Sequence, residues 1–295
     1  MSIINTRIGE SELILRDGRI YHLDLLPEEL ASTIITVGDP NRVPQVSKYF
    51  DRIESKRSHR ELVTHTGYIG TTRLSVVSTG MSTANIDIVI NELDALHNIC
   101  FEQRCLKDQI TPLSIIRLGT SGAIQAETPV DSFMLSTAAL GFDGLMHFYD
   151  SSQHPQQEAI QAALTAHFGA ALPVSPYYTE ASMRLQALFA SFTTPGITVT
   201  CGGFYAPQGR LLRAKPKQPH FIEALSSFDF NGRRLSNFEM ETAGIYGLSH
   251  TLGFECCSIS AIIANRATKT FSLDPEKTID TLIKTTLEHL TRTSL

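Results

Sequence analysis

The chain is organised around one stretch, which reads Asn237-Phe238-Glu239-Met240-Glu241-Thr242-Ala243-Gly244. In it, Glu239 and Glu241 lie among apolar residues, and an apolar pattern with helical spacing follows through residue 252. A buried carboxylate is costly unless it is hydrogen-bonded or paired, so two of them at the start of a helix indicate a site for hydroxyls or for a developing positive charge. The alternative is a plain helix N-terminus, where the macrodipole favours Glu. The stretch alone leaves both interpretations open.

The composition is that of an ordinary globular chain, with 295 residues of which 42% are hydrophobic and 19% are charged. No linker or compositional shift divides it, so we expect one domain over residues 1–295. The formal net charge of -5 argues against a nucleic-acid partner, which normally needs a clustered basic face. An anionic ligand would therefore have to be bound by local arginines.

The cysteines and the apolar runs indicate a reduced, cytoplasmic protein. The five cysteines show neither paired metal-ligand spacing nor a disulfide framework. The N-terminus lacks the charged-then-apolar pattern of a signal peptide, and no uninterrupted apolar run approaches the length of a membrane span. We therefore expect no membrane partner and no metal site.

A first candidate anion site follows a short buried strand. Residues 33–37 are apolar and β-branched and lead into Gly38-Asp39-Pro40-Asn41-Arg42, which predicts a strand, a turn and the start of a helix. Ligands of open α/β sheets gather at the carboxyl ends of strands. Backbone amides beside Gly38, with Arg42 one helical turn on, would suit a phosphate. A plain turn with a solvated Arg42 is equally compatible with the pattern.

A second and sharper junction comes at residues 114–122. Residues 114–118 have a buried-strand pattern, and we expect the strand to end in a loop formed by Gly119-Thr120-Ser121-Gly122. Arg117 interrupts the apolar strand, and a charged side chain that points into a core needs a partner. An oxyanion bound by Arg117, Thr120 and loop amides is favoured over a structural ion pair.

The remaining elements add a weaker candidate pocket. Strands are predicted at 74–78, 197–200 and 257–263, and helices at 83–97, at 155–168 and from Asp274 onward. After the strand at 197–200, Phe204 would stack on a flat ring. Gln208 and Arg210 would form hydrogen bonds to the edge of that ring. Loop polar residues are usually only solvated, so this signal is weak alone. His22 stands alone in the sequence, without other residues at a spacing typical of a site, which favours a structural or solvated role for it.

Together these motifs resemble those of the uridine phosphorylases, a branch of the nucleoside phosphorylase superfamily. The shared motifs occur in the order of that family: Gly38-Asp39-Pro40-Asn41-Arg42, Ser58-His59-Arg60-Glu61, Ile116-Arg117-Leu118-Gly119-Thr120-Ser121-Gly122, Phe204-Tyr205 with Gln208 and Arg210, Phe238-Glu239-Met240-Glu241, and Asn265-Arg266. Each is moderately specific, and six in register, over about residues 20 to 270, are strongly specific. The resemblance implies an α/β fold with a mixed, barrel-like central sheet flanked by helices. It also implies a homodimer or a hexamer of dimers.

The resemblance further implies which residues bind each part of the substrates. The phosphate site would consist of Gly38, Arg42, Arg117 and Thr120, with Arg60 supplied by the neighbouring subunit. The ribose would be bound by Met240, Glu241 and Thr120, and its 5′-hydroxyl by His22 of the neighbouring subunit. The base would stack near Phe204 and bond to Gln208 and Arg210, with Arg266 behind them. Glu239 would play a supporting part.

The implied reaction is the phosphorolysis of uridine to uracil and ribose 1-phosphate. Phosphate attacks the anomeric carbon through an oxocarbenium-like transition state, while Arg210 and Gln208 face the charge that develops on the leaving base. Glu241 orients the sugar through its hydroxyls. This chemistry needs phosphate as a co-substrate but no covalent intermediate, metal or redox cofactor. The replacement Arg117→Ala is expected to abolish the reaction and to leave the fold intact.

Two local features refine the resemblance. Purine-cleaving relatives tend to have an Asp after the last core strand, whereas this chain has Ala264-Asn265-Arg266 there, without a carboxylate, which favours uridine. The glycine-rich turn that the family has after its second strand is replaced by Gly80-Met81-Ser82-Thr83-Ala84-Asn85. In some relatives that turn and the residue matching Glu61 line a potassium site between subunits. Asn85 replaces the hydroxyl-bearing residue that those relatives have in the turn, which argues against a bound potassium here.

Three other functions remain to be distinguished. A purine nucleoside phosphorylase would use the same fold with a different base pocket. A nucleosidase would use water, but it would have little reason to keep Arg42, Arg60 and Arg117 around one anion. A non-catalytic nucleoside-binding homologue would be indicated by the loss of Glu241 or of an arginine, and none is lost.

Overall fold

The computed structural model describes residues 6–150, 155–169 and 172–292. His154, for which the sequence indicates a surface position, lies outside these ranges. In the part of the chain that is described, no helix has both the length and the apolar character needed to cross a membrane.

The described residues form sixteen β-strands and seven α-helices. The strands are β1 (Leu15–Arg16), β2 (Arg19–Ile20), β3 (Thr33–Val37), β4 (Arg52–His59), β5 (Leu62–Ile69), β6 (Thr72–Ser78), β7 (Ile99–Cys100), β8 (Cys105–Leu106), β9 (Ser114–Ala123), β10 (Phe133–Gly141), β11 (Tyr177–Glu180), β12 (Thr194–Thr200), β13 (Asp229–Phe230), β14 (Arg233–Glu239), β15 (Glu255–Asn265) and β16 (Thr270–Phe271). The helices are α1 (Arg42–Ser47), α2 (Thr83–Asn98), α3 (Gln157–Phe168), α4 (Met183–Phe189), α5 (Phe221–Ser227), α6 (Thr242–Leu252) and α7 (Pro275–Arg292).

Five strands of the main sheet close into a barrel. Their order is β14, β12, β10, β15 and β9, and β9 pairs with β14 to complete the ring. The pairs β10–β12, β12–β14 and β9–β15 are parallel, whereas β10–β15 and β9–β14 are antiparallel. This mixed barrel, flanked by helices, confirms the fold that the sequence predicts.

Beyond β9 the sheet continues through β3, β6, β5 and β4. β3 is parallel to both β9 and β6, so Thr36 lies opposite Arg117 and Val37 lies opposite Ser78. On the other side of β9, Ser258 of β15 lies opposite Arg117. Because the carboxyl ends of parallel strands meet at one edge, the turns after β3 and β6 lie beside the part of β9 that carries Arg117.

The prediction of a loop at residues 119–122 is wrong. β9 continues to Ala123, and the predicted loop residues pair with β15 in the barrel wall. The glycines that suggest a turn instead allow close contacts, since a Cβ on Gly122 would come within 3.2 Å of the Phe238 ring. Thr120 therefore projects from a strand of the barrel.

The other predicted elements are present with small changes at their ends. The strands predicted at 33–37, 74–78, 197–200 and 257–263 correspond to β3, β6, β12 and β15, and the predicted helices to α2, α3, α6 and α7. Asp274 caps α7, since its Oδ1 accepts a hydrogen bond from the Lys277 amide at 3.0 Å.

Helix α6 is anchored in the core by a tyrosine. Tyr246 is fully buried. Its hydroxyl donates to the Ser136 carbonyl at 2.7 Å and accepts from the Ser258 amide at 2.7 Å. These bonds connect α6 to β10 and β15, two strands of the barrel, and so fix the helix that begins directly after Glu241.

The replacement Tyr246→Phe is expected to lower the free energy of unfolding by about 1–3 kcal/mol, because it leaves a buried amide and a buried carbonyl without their partner. Urea unfolding at a fixed protein concentration measures the change. Tyr68→Phe, which alters a half-buried ring on β5, is the control and should change stability by less than about 0.5 kcal/mol. Equal losses in both variants would contradict the anchoring role.

Candidate functional site

The centre of the candidate site is a buried cluster of one guanidinium and two carboxylates. Arg117 donates from Nη2 to Oε2 of Glu241 at 2.6 Å, and the same nitrogen lies 3.1 Å from Oε2 of Glu239. Its Nη1 lies 3.4 Å and 3.3 Å from the hydroxyls of Ser258 and Ser260. All three charged side chains belong to residues that are only 5% or 6% exposed. Charges buried to this extent depend on their partners.

Glu239 uses its carboxylate to start α6. Its Oε2 accepts hydrogen bonds from the amides of Glu241 and Thr242, each at 2.9 Å, and its Oε1 accepts one from the Thr200 hydroxyl at 2.6 Å. The first amides of a helix have no partner within the helix, and a carboxylate there suits the macrodipole. Of the two interpretations of the Glu pair, the helix N-terminus therefore applies to Glu239.

Glu241 is held from two sides and keeps capacity for a ligand. Its Oε1 accepts a hydrogen bond from the Ser82 amide at 2.7 Å, and its Oε2 is bonded to Arg117. Because a carboxylate oxygen can accept two hydrogen bonds, the side chain can still bind hydroxyl groups. Burial raises the pKa of Glu241, a rise that the Arg117 charge opposes and the Glu239 charge reinforces.

A glycine makes room for this cluster. Residues two apart on a strand share one face, and a Cβ on Gly119 would lie 1.9 Å from Nη1 of Arg117. Arg117 is held by two carboxylates, so it cannot easily move away from such a contact. The glycine is thus explained by a close approach and not by a turn.

A second guanidinium lies beside the cluster. Arg42 opens α1 directly after the turn that follows β3, and its Nη1 lies 3.4 Å from the Leu118 carbonyl on β9. Burial lowers the pKa of Arg42, and the Arg117 charge lowers it further. The charges of Asp39 and Glu241 oppose this lowering. An anion in contact with both guanidiniums would reduce the repulsion between them. Gly38 directly follows β3, and the half-buried Thr120 lies on β9 three residues after Arg117.

The predicted base-binding residues form a second group. Arg210 donates to Oε1 of Gln208 at 2.6 Å and to the Phe204 carbonyl at 2.7 Å. Arg266 donates to the Gln208 carbonyl at 3.2 Å. Burial and the Arg266 charge lower the pKa of Arg210 to about 10, so Arg210 remains a cation at neutral pH.

This second group adjoins the Glu239–Glu241 segment. The guanidiniums of Arg210 and Arg266 lie 5.9 Å and 5.6 Å from the centre of the Phe238 ring, which directly precedes Glu239. Arg210 also lies 3.7 Å from the centre of the Phe204 ring. One face of Phe204 is therefore covered by Arg210, and a base would have to use the other face or displace the guanidinium. Half-buried Met240 lies between the two glutamates.

Asn265 has a structural role. Its side-chain amide donates to two backbone carbonyls at 2.9 Å and 2.7 Å, and its Oδ1 accepts from two backbone amides at 2.9 Å and 3.0 Å. The two carbonyls belong to Gln125 and Thr128, in the segment that follows β9, and the two amides belong to the turn after Asn265 itself. Arg266 is therefore the residue of the Asn265-Arg266 motif that faces the base group.

His22 and Arg60 form a separate group on the surface. Across the described ranges, no hydrogen bond or ion pair joins either residue to the Arg117 cluster. Arg60 is exposed at the turn between β4 and β5, and its guanidinium lies 5.9 Å from the centre of the Tyr21 ring. The rings of Tyr21 and His22 meet edge to face at 4.9 Å. The two residues that the resemblance assigns to a neighbouring subunit thus lie together.

The turn before α2 is compact. Gly80 has a φ of 70°, and a Cβ there would lie 2.2 Å from Nδ2 of Asn85 and 3.4 Å from Cγ of Glu61. Glu61 and Asn85 are therefore neighbours of the same turn. Within the described ranges, no group of three or more His, Cys, Asp or Glu side chains could hold a metal ion.

Sequence reasoning missed three groups that complete the site. They are the Ser82 amide, which bonds to Glu241, and the hydroxyls of Ser258 and Ser260, which face Arg117. The two serines flank Ile259 in the middle of β15, among apolar residues, and side chains two apart share one face. Two serines on one face of a buried strand could have indicated that a polar side chain, here Arg117, packs against that face. The Ser82 amide gives no sequence signal, because any residue could supply it.

Comparison with known proteins gives these features a family context. The model of the phosphorylase superfamily matches residues 32–294. The chain is 30% identical over 261 residues to a uridine phosphorylase of Thermococcus kodakarensis, covering 88% of this chain and 83% of that protein. It is 26% identical over 243 residues to a purine nucleoside phosphorylase of Shewanella oneidensis, covering 82% of this chain and 85% of that protein.

A solved structure of a nucleoside phosphorylase also matches this chain in three dimensions. A nucleoside phosphorylase of Trypanosoma brucei, described as showing uridine phosphorylase activity, matches this chain with a TM-score of 0.86 at 29% sequence identity. The match covers 95% of this chain and 99% of that one. The similarity therefore includes both the barrel and the loops that carry the candidate site.

Inorganic phosphate is expected to raise the unfolding temperature of the protein, because a ligand that binds only the native state stabilises it by mass action. Arg42→Met should remove most of this shift, since one of the two guanidiniums is lost. In the absence of phosphate, Arg42→Met should unfold at nearly the same temperature as the wild type, because the substitution removes a single 3.4 Å bond to a carbonyl. Thermal unfolding with and without phosphate measures both effects.

Arg184→Met is the matched control, since Arg184 is a half-exposed cation paired with Glu255. It should keep the full phosphate shift. A full shift in Arg42→Met would remove Arg42 from the anion site.

Proposed function

Because the chain belongs to the phosphorylase superfamily, we propose that it catalyses the phosphorolysis of uridine to uracil and ribose 1-phosphate. One observation carries the proposal: two cations, the half-buried Arg42 and the buried Arg117, lie beside a buried carboxylate, Glu241. An anion and a hydroxylated sugar can be bound side by side there. The reaction is a pentosyl transfer, in which the ribosyl group moves from the base to phosphate.

Phosphate would lie between Arg42 and Arg117, with Gly38 and Thr120 beside it. Its charge relieves the repulsion between the two guanidiniums. From this position phosphate acts as the nucleophile toward the anomeric carbon. It also stabilises the positive charge of the oxocarbenium-like transition state.

Glu241 would bind the 2′ and 3′ hydroxyls of the ribose, with Met240 packed against the sugar. Arg117 and the Ser82 amide hold its carboxylate in place. The sugar is thereby oriented with its anomeric carbon toward phosphate, and such positioning lowers the entropic part of the barrier. Arg117 would thus serve both substrates, as a phosphate ligand and as the partner of Glu241.

The leaving uracil would be bound by Gln208 and Arg210, near Phe204 and with Arg266 behind them. Uracil departs as an anion, and a preorganised cation beside its carbonyl oxygens stabilises the developing charge. Arg210 is protonated at neutral pH and donates to Oε1 of Gln208. The Gln208 amide nitrogen then remains free to donate to a carbonyl oxygen of the base.

A second copy of the chain would complete each site. His22 and Arg60 are grouped on the surface, where they can reach the ribose 5′-hydroxyl and the phosphate of a neighbouring subunit. We therefore propose a homodimer, or a hexamer of dimers, with sites shared between subunits. We further propose that residues 1–295 form one domain, that the protein acts in the cytoplasm and that the reaction needs no cofactor besides the co-substrate phosphate.

Two alternatives make different demands on the same residues. A nucleosidase would activate water and would gain nothing from placing Arg42 next to Arg117. A purine nucleoside phosphorylase would need a group to bond or protonate the imidazole nitrogen of the base, and the Asn265 side chain is already bonded to the Gln125 carbonyl and the Ala267 amide. Both arguments favour uridine phosphorolysis.

Because Arg117 is paired with two buried carboxylates, a loss of activity in Arg117→Ala could result from a loss of stability. The sequence suggests that this variant loses activity with an intact fold, but it would leave Glu239 and Glu241 buried without their cation. Breaking a buried pair in this way costs about 3–5 kcal/mol. Arg42 is therefore the better residue for testing the phosphate site.

The proposal is tested by uracil release from uridine with and without inorganic phosphate, with inosine in parallel. Phosphate-dependent formation of uracil and ribose 1-phosphate is the expected result. Uracil release without phosphate would identify a nucleosidase, and cleavage of inosine alone would identify a purine phosphorylase. Cleavage of neither substrate would favour the non-catalytic nucleoside-binding protein.

Arg210→Ala is expected to lower kcat/KM for uridine by roughly 10²- to 10³-fold, the usual cost of removing a donor aimed at developing charge. Ribose 1-phosphate binding should change far less, because Arg210 lies with the base group. Steady-state kinetics and competition by ribose 1-phosphate separate the two effects. Equal losses for uridine and an inosine-like substrate would count against the base assignment.

A further inference from the structure

Glu92, a mostly covered residue of α2, is bonded to the segment that carries His22. Its Oε1 lies 2.6 Å from Nδ1 of His22, and both of its oxygens lie 3.1 Å from the His22 amide nitrogen. Its Oε2 also accepts a hydrogen bond from the Leu23 amide at 2.8 Å. One carboxylate therefore holds two backbone amides and the imidazole ring together.

These contacts determine which ring nitrogen of His22 is available. A carboxylate accepts hydrogen bonds and does not donate them, so Nδ1 of His22 must carry the proton that it shares with Glu92. The second ring nitrogen, Nε2, then has a free lone pair in the neutral imidazole. The Tyr21 ring packs edge to face against His22 at 4.9 Å, which restricts rotation of the imidazole.

The same segment is tied to the turn that carries Arg60. Nδ1 of His59 lies 3.1 Å from the His22 carbonyl, and the Arg60 guanidinium lies 5.9 Å from the centre of the Tyr21 ring. His22 and Arg60 are thus held in a fixed relation to each other. The side chains of Glu92 and His22 are 12% and 26% exposed, respectively, so the imidazole reaches the surface while its carboxylate partner is mostly covered.

We propose that Glu92 is a positioning residue, which fixes the tautomer and orientation of His22 so that Nε2 accepts a hydrogen bond from the ribose 5′-hydroxyl bound in the neighbouring subunit. The proposal rests on the proposed function and extends it to a residue outside the substrate contacts.

The test compares uridine with 5′-deoxyuridine, which lacks only the 5′-oxygen. Glu92→Met removes all the hydrogen-bond acceptors of this side chain at similar length. It should lower kcat/KM for uridine roughly tenfold, the value of one hydrogen bond, and leave kcat/KM for 5′-deoxyuridine within about twofold of the wild type. His22→Ala should show the same pattern, and the double variant should be no worse than His22→Ala, because both changes remove one interaction.

Asp94→Asn is the matched control on the same helix. Burial raises the pKa of Asp94, and its Oδ1 accepts a hydrogen bond from Asn98, which an amide oxygen can also do. This variant should process both substrates like the wild type. Should Glu92→Met fail to fold, Glu92→Gln keeps an acceptor for the two amides and allows the same comparison.

Equal losses on uridine and 5′-deoxyuridine would overturn the positioning role, because a structural defect affects both substrates. Fully additive losses in the double variant would overturn it as well. Failure of the proposed function gives a different result, since the wild-type protein would then release no uracil from uridine in the presence of phosphate.

Discussion

A buried guanidinium is the constraint on which the rest of the structure depends. Arg117 lies in a barrel strand, among residues that are otherwise apolar, and it can stay there only with Glu241 and Glu239 in contact. These carboxylates come from the end of β14 and the start of α6. The closure of the barrel through the β9–β14 pair brings them to Arg117. The need to pair one charge therefore connects the barrel, the helix and the candidate site.

Helix α2 connects the two parts that we assign to different active sites. It begins directly after Ser82, whose amide holds Glu241, and it carries Glu92, which holds His22. At 1.5 Å per residue, these two positions are about 15 Å apart along the helix axis. One rigid element thus supports both the carboxylate of a chain's own site and the residues offered to its neighbour. This arrangement explains why His22 is held by hydrogen bonds although it lies away from the Arg117 cluster.

Much of the fold and of the site could be predicted from the sequence, because the signals are local. Alternating apolar runs and Gly or Pro residues indicate the strands and turns, and Arg117 stands out as a charge in an apolar strand. The loop at 119–122 was predicted wrongly, since a glycine that allows a close approach to Arg117 looks the same as one that allows a turn. The contacts of Ser82 and Glu92 could not be predicted, because they depend on how distant segments pack against each other. The roles of the site residues stay predictions.

The central claim is that each site combines the Arg117 cluster of one chain with the His22 and Arg60 group of another. Mixing two inactive variants, Arg42→Ala and Arg60→Ala, under conditions that exchange subunits tests it most directly. If sites are shared, each mixed dimer contains one intact site and one doubly altered site, and an equal mixture should recover about a quarter of the wild-type activity. If both arginines acted within one chain, every site would carry one of the two changes, and the mixture would stay as inactive as its components.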